Sequence, residues 1–294
     1  MEPRYHARLA ILAAAALFST GGAAIKSTSF TSWQVACLRS AIAAGALLLL
    51  IPAARRAWTW RMAGVALAYA ATLVGFVTAS KLTTAANAIF LEDTAPLYLV
   101  LAGPLLLRER VRRADIVLIV LMATGLALFF AGAEGATAIA PDPSRGNLIG
   151  AGTGITWAIT LAGLRWLSRG NGGTAVATAA MGNVLAAIAT IPFAWPFDGA
   201  SSSTAMDWLV VGYLGVFQVG LAYVLLARGL RGVPALEASL LILVEPVLTP
   251  IWAGLIHGEW PSALSAAGGA LIVGATTVQL LAREEVETEA VAKI

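Results

Sequence analysis

Two stretches of the chain, Ala95-Pro96-Leu97 running to Arg108-Glu109-Arg110 and Glu245-Pro246-Val247 running to Gly258-Glu259-Trp260, repeat one pattern. In each, a proline inside an apolar run is followed thirteen residues later by a glutamate. Pro96 and Pro246, like Glu109 and Glu259, therefore differ by 150 positions. A solenoid repeat is shorter, about 20 to 50 residues, and 150 is close to half of the 294-residue chain. The shift predicts two homologous halves. Sliding 81–125 onto 231–275 adds matches at 85, 88, 91, 105 and 121, all Ala or Leu. Those are cheap in an apolar sequence, so the proline and the glutamate carry the signal, and chance is the competing explanation.

The composition places both halves in a membrane. Hydrophobic residues make up 59% of the chain, charged residues only 12%, and the mean hydropathy is +0.82; soluble domains carry about 25% charged residues. A helix that spans the hydrocarbon core needs about 20 mostly apolar residues. The sequence divides into roughly ten such runs: 8–26, 32–52, 61–80, 84–107, 114–132, 146–168, 174–195, 206–229, 233–257 and 261–282. They are continuous and rich in Ala, Leu and Gly, unlike the short alternating strands of a membrane barrel. The expected fold is all-α integral membrane: ten transmembrane helices as two inverted five-helix repeats, 1–135 and 146–283, followed by an acidic C-terminal tail, 284–294. The tail, with Glu284, Glu285 and Glu287, is expected to be frayed and solvated. The first run has the layout of a signal peptide, but removing it would spoil the matched halves, so it is read as a span. Cys37 is the lone cysteine, which precludes an intramolecular disulfide.

Lys and Arg are distributed unevenly between alternate connections. Fifteen of the nineteen lie on one side, from Arg4 and Arg8 through the cluster Arg108, Arg110, Arg112 and Arg113 to Arg283 and Lys293. The other side holds Lys26, Lys81 and Arg145, and Arg39 lies inside the second span. The positive-inside rule then puts both termini in the cytoplasm of a multi-pass inner-membrane protein. The net charge of +3 follows from these loop arginines and points to orientation, with no nucleic acid as partner. Seven tryptophans fall near span ends, where the amphipathic ring suits the headgroup region; Trp157 and Trp252 do not. Because five is odd, the second half enters the membrane from the opposite side. Inverted repeats of this kind are an alternating-access architecture.

Ten spans in two halves, each with a mid-span proline, a terminal glutamate and a Gly-containing last span (Gly125; Gly268, Gly269 and Gly274), resemble the drug/metabolite transporter superfamily in its EamA branch. The resemblance covers nearly the whole chain. It implies a secondary carrier without a cofactor, exporting small molecules such as amino acids, related metabolites or drugs. YddG-type amino-acid exporters are one branch of similar length. Arg108-Glu109-Arg110 stands where many relatives have Leu-Gly-Glu.

Polar residues inside the spans are the site candidates, since ionisable groups in lipid usually face a bundle interior or a wet cavity. Glu92, Asp93 and Glu245 are candidates for proton coupling or for attracting a cation; pairing of Glu92 or Asp93 with Lys81 is the structural alternative. If span four is one continuous helix, Glu92 shares a face with Ala85, Ala88 and Pro96, expected to pack, while Asn87, Thr94 and Tyr98 form a second stripe expected to line the cavity. Trp157 with Thr160 in span six, and Gln218 with Tyr213 in span eight, complete the expected substrate-binding set; back-bonded threonines are the alternative in span six. Arg39 either binds a carboxylate or snorkels. Pro96 and Pro246 each remove a backbone hydrogen bond and are expected to act as hinges. Gly146, Gly150 and Gly154 suit close helix packing.

An intramembrane enzyme would need a nucleophile with its base, or a metal site. The two histidines, His6 and His257, sit near span ends without a paired motif, so neither enzyme nor metal is expected. A secondary transporter exporting amino acids, aromatic or other neutral ones, by alternating access accounts for most of these features. A drug or nucleotide-sugar-like carrier, a channel and a non-transport scaffold are the alternatives. The expected partners are a small-molecule substrate and the lipid bilayer; the oligomeric state, a monomer included, is open.

Overall fold

The computed structural model describes residues 2–56, 58–99, 113–131, 136–168, 174–196, 203–233, 237–238 and 241–292. Glu109 and its flanking arginines 108, 110 and 112 lie outside them. Among the described residues the chain is helical, with turns and a single isolated bridge, Thr137 to Ala140. Helices α1 (Glu2–Ser19) and α2 (Gly21–Lys26) meet at Thr20, and α3 (Ser32–Leu50), α4 (Trp60–Leu82) and α5 (Ala85–Glu92) follow. Next come α6 (Arg113–Ala131), α7 (Pro143–Ser168) and α8 (Thr174–Ala194). Helix α9 (Ala205–Tyr213) continues through a π-helical segment (Leu214–Leu221) into α10 (Ala222–Gly229); α11 (Val244–His257) and α12 (Ala263–Ala292) complete the set. Six stretches among the described residues are long and apolar enough to cross a membrane: Arg4–Lys26, Ser32–Leu50, Trp60–Leu82, Pro143–Ser168, Thr174–Ala194 and Ala205–Gly229.

Threonines start several of these helices, because a hydroxyl at the N-cap satisfies a backbone N–H that has no carbonyl partner within the helix. Thr31 accepts from the Gln34 N–H while the Gln34 side chain takes the Thr31 N–H, a reciprocal box that opens α3. Thr204 and Asp207 form the same box on α9, and Asp207 also accepts the Ser29 N–H at 2.8 Å, which ties α9 to the α2–α3 turn. At the far end of α11, Gly258 takes the left-handed conformation, φ 65°, that glycine adopts without steric penalty.

The helices pack in exchangeable pairs. Helix α4 lies along α7 as α10 lies along α1, α4 meets α8 as the π segment meets α3, and α5 meets α7 as α11 meets α1. The remaining strong contacts join α3 with α8, α5 with α11 and α6 with α12. Small residues allow the close approaches. A Cβ on Gly146 would stand 2.7 Å from Thr83, one on Gly154 2.4 Å from the Thr94 hydroxyl, and one on Gly125 2.8 Å from Ile272. The spacing of glycines along α7 is therefore a packing device.

Contacts sort the helix ends into two groups. At one end Glu237 receives Arg4 at 2.9 Å and Arg8 at 2.7 Å, and Arg165 reaches the Leu230 carbonyl. At the other, Lys81 donates to the Thr28 carbonyl at 2.7 Å, Lys26 meets Glu259 at 3.1 Å, and His257 contacts the Ala23 carbonyl at 2.8 Å. Lys81 thus makes a backbone contact at the helix end in place of the alternative pairing with Glu92 or Asp93. Trp58, Trp60, Trp166, Trp195, Trp208 and Trp260 are exposed, whereas Trp157 is buried. The acidic stretch at 284–287 is a correction to the expected frayed tail: α12 runs unbroken to Ala292. Glu and Ala there are good helix formers, and they extend a helix already nucleated in the span.

Candidate substrate-binding site

The site is built around two interruptions of the helices. Helix α5 stops at Glu92, Asp93 and Thr94 form a turn, and residues 95–99 are helical again. Farther along, Ile242 and Leu243 form a turn and α11 restarts at Val244. Each interruption precedes a proline by two or three residues, which has a steric cause. A proline has no N–H for the carbonyl four residues back and its ring clashes with that carbonyl. For Pro246 the affected carbonyl belongs to Ile242, which accepts the Glu245 N–H at 2.7 Å instead. Before Pro96 the turn is closed by Leu97 N–H to Thr94 O at 2.9 Å and by the Thr94 hydroxyl to Leu91 O at 2.7 Å. The expectation of prolines in the middle of continuous helices is corrected: each sits in the first turn of a restarted helix, where its missing N–H costs little.

Glu92 and Glu245 both line one narrow cavity beside these turns. Its remaining wall comes from α1 (Phe18), α3 (Arg39), α4 (Thr72, Leu73, Phe76), α7 (Trp157), the π segment (Gln218, Val219) and α10 (Tyr223). Arg39 is 1% exposed, donates from Nη2 to the Leu73 carbonyl at 2.8 Å and from Nη1 to Gln218 Oε1 at 3.4 Å. Gln218 passes the chain on, its Nε2 donating to the Phe18 carbonyl at 3.4 Å. Gly21 faces this amide so closely that an added Cβ would lie 2.5 Å from Nε2.

Four rings stand edge-on at the apolar wall. Tyr223 meets Phe18 at 4.9 Å, Tyr69 at 4.4 Å and Trp157 at 6.2 Å between centroids. Tyr69 is fixed by the Asn183 amide, which donates to its hydroxyl at 2.8 Å. Asp93 is buried in the turn that follows α5. The cavity therefore combines a buried cation, two carboxylates, an amide and an aromatic wall. Such a set of convergent polar groups against an aromatic wall can orient a small polar solute.

The sequence profile of the EamA-like transporter family matches this chain twice, over residues 7–131 and 144–281. The chain belongs to the EamA-like transporter family. Members of this family are transporters, multi-pass proteins of the membrane. The chain is also similar to an aromatic amino acid exporter, YddG, of Ancylobacter novellus, with 28% identity over 213 residues that cover 71% of each protein. A solved crystal structure without a functional description shares the fold, with a TM-score of 0.65 and 24% identity over 96% of this chain and 98% of the other. The family match bears out the expected resemblance to the drug/metabolite transporter superfamily in its EamA branch.

In this EamA-like transporter, the structure brings Trp157, Gln218, Glu92 and Glu245 together at the cavity, with Asp93 buried in the adjacent turn. It places other candidates elsewhere. Asn87 lies within hydrogen-bond reach of Thr83 and Asn147 where α5 packs on α7, Thr94 abuts Gly154, and Thr160 bonds back to the Thr156 carbonyl at 2.8 Å. Tyr98 packs against the main apolar cluster, and Tyr213 shares a 2.8 Å hydrogen bond with Thr20 near the bend between α1 and α2. Of the face expected to pack, Glu92 lines the cavity, while Asn87 and Thr94 of the other stripe pack between helices; Asn87 and Glu92 share α5, and the interruption at 93–94 separates only Thr94 and Tyr98 from its period. Phe18, Thr72 and Phe76 escaped sequence reasoning. The aromatic pair carries no mark in an apolar run, whereas Thr72, a hydroxyl in span three, was a usable signal.

Proposed function

We propose that this transporter exports amino acids, aromatic or other neutral ones, across the inner membrane by alternating access. The observation that carries the reading is the convergence of polar side chains from both halves, Arg39 and Glu92 with Gln218 and Glu245, on one aromatic-walled cavity. The name of the Ancylobacter novellus relative supports the substrate class. The exchangeable packing pairs and the two family matches support two inverted five-span halves, a first through 135 and a second over 146–283. The lysine and arginine distribution supports cytoplasmic termini.

In this mechanism Trp157 and Gln218 contact the solute, and the turns before Pro96 and Pro246 are the hinges about which the inner and outer parts of the two spans tilt. Glu92, Asp93 and Glu245 carry the coupling proton. The end where Lys26 meets Glu259 is closed, and export requires that this closure open while the opposite end shuts.

Counterflow in proteoliposomes tests the proposal. Vesicles loaded with an unlabelled amino acid should take up the same labelled compound saturably, and Gln218→Ala should weaken the apparent affinity about tenfold, the loss of one to two polar contacts. Absence of exchange for every amino acid, with monodisperse protein, would remove the amino-acid reading and favour cationic drugs, for which three nearby carboxylates and an aromatic wall are also suited.

A further inference from the structure

The charges around the cavity are not uniformly paired. Arg39 is buried, and the acceptors that hold its two terminal nitrogens, Leu73 O and Gln218 Oε1, are neutral. Among the described residues its Nε has no hydrogen-bond partner. A buried guanidinium with an open donor is poised for a planar anion, because its fork matches a carboxylate. Glu92 is the carboxylate whose charge acts on Arg39. Glu245 differs: the charges that act on it are those of Asp93 and Glu92, both acidic. The cavity thus presents a cation and, from another helix, a carboxylate whose charged neighbours are also carboxylates.

We propose that the cavity recognises both ends of a zwitterion, Arg39 taking the α-carboxylate of the solute and Glu245 its α-ammonium, with the solute side chain against Phe18, Trp157 and Tyr223. This rests on the amino-acid reading of the function and adds the specificity rule: a solute lacking either charged group is a poor substrate. Glu92 lines the same cavity without an ion pair to Arg39 among the described residues, so the arriving carboxylate meets a guanidinium that no carboxylate holds. Gln218, which also lines the cavity, accepts from Nη1 and helps to position the guanidinium that the solute meets.

The test is competition in counterflow with the full-length, unaltered protein. Labelled L-phenylalanine is exchanged against L-phenylalanine, L-phenylalaninamide, which lacks the carboxylate, and 3-phenylpropionate, which lacks the ammonium. Each analogue should compete at least about tenfold more weakly than L-phenylalanine, the loss of one charged hydrogen-bonded contact. Arg39→Lys should retain more exchange than Arg39→Gln, and Glu245→Gln should narrow the gap between L-phenylalanine and 3-phenylpropionate. Because a buried arginine variant can fail to fold, the analogue comparison on the unaltered protein decides. Equal competition by either analogue, with amino-acid exchange intact, overturns this inference alone. Failure to exchange any amino acid overturns it together with the functional reading beneath it.

Discussion

Lys26 Nζ lies 3.1 Å from Glu259 Oε2, and both side chains are almost wholly buried, 4% and 3% exposed. Three further contacts surround the pair. Glu259 Oε1 accepts the Ala85 N–H at the start of α5, Lys26 donates to the Ile139 carbonyl, and His257 reaches the Ala23 carbonyl. One ion pair therefore ties the end of the first span, the start of α5, the loop between the halves and the turn after α11. Glu259 is also the second of the two repeated glutamates.

Removing one partner leaves the other charge buried without its counter-ion. Glu259→Gln should therefore destabilise the protein by about 3–5 kcal/mol, and Lys26→Met combined with Glu259→Leu should recover much of that loss. Thermal unfolding in detergent measures both. A single variant as stable as the parent would show the pair to be idle.

The same variant should loosen the closed end. With Cys37→Ala as background, Ser27→Cys should react faster with an impermeant maleimide when Glu259 is Gln. Unchanged labelling would separate this pair from gating.

At the interruptions, Pro96→Ala and Pro246→Ala should restore helical hydrogen bonding across 93–94 and 242–243 and stiffen both spans. The expected result is slower exchange at saturating substrate with apparent affinity changed less than about threefold, as hinge changes act on rate. Parental rates in both variants would remove the hinge role.

Gly152 and Gly154 offer a matched pair on one helix. A Cβ at 152 meets open space, whereas one at 154 would press on Thr94 and on the Leu91 carbonyl at 2.8 Å, next to the turn that follows Glu92. Gly154→Ala should cost about 1–3 kcal/mol and reduce transport, while Gly152→Ala should be neutral or slightly stabilising. Equal unfolding temperatures for the two would contradict the packing described here.

Proton coupling is tested by imposing a pH gradient. Glu92→Gln, Asp93→Asn or Glu245→Gln should abolish the gradient-driven part of transport in at least one case while counterflow persists. Transport that ignores the gradient in the parent protein would make the carrier purely facilitative.

The membrane class and the candidate polar residues were legible in the sequence for a simple reason. Apolar runs of span length need no tertiary knowledge, and a carboxylate or arginine inside one is conspicuous, as Arg39, Glu92 and Glu245 are. The orientation of span four was not legible. Periodicity groups residues by face but does not tell which face of α5 packs on α7, and there Asn87 meets α7 while Glu92 lines the cavity; the turn at Asp93-Thr94 then unlinks Thr94 and Tyr98 from the period of α5. The partnership of Lys26 with Glu259 was equally hidden, since residues 233 apart in sequence meet only through the packing of α2 against α11. Phe18 and Phe76 lacked any distinguishing chemistry among their apolar neighbours.

The π-helical segment from Leu214 to Leu221 has a genetic consequence. Bonding each N–H five residues back accommodates one residue more than the α-turn it replaces. A single-codon deletion within 214–217 would let the segment relax to α-helix without shortening the span by a full turn, so this is where the membrane helices should best survive loss of a residue. What changes is the rotation of α9 against α10, and with it the side chain that the cavity meets at Gln218.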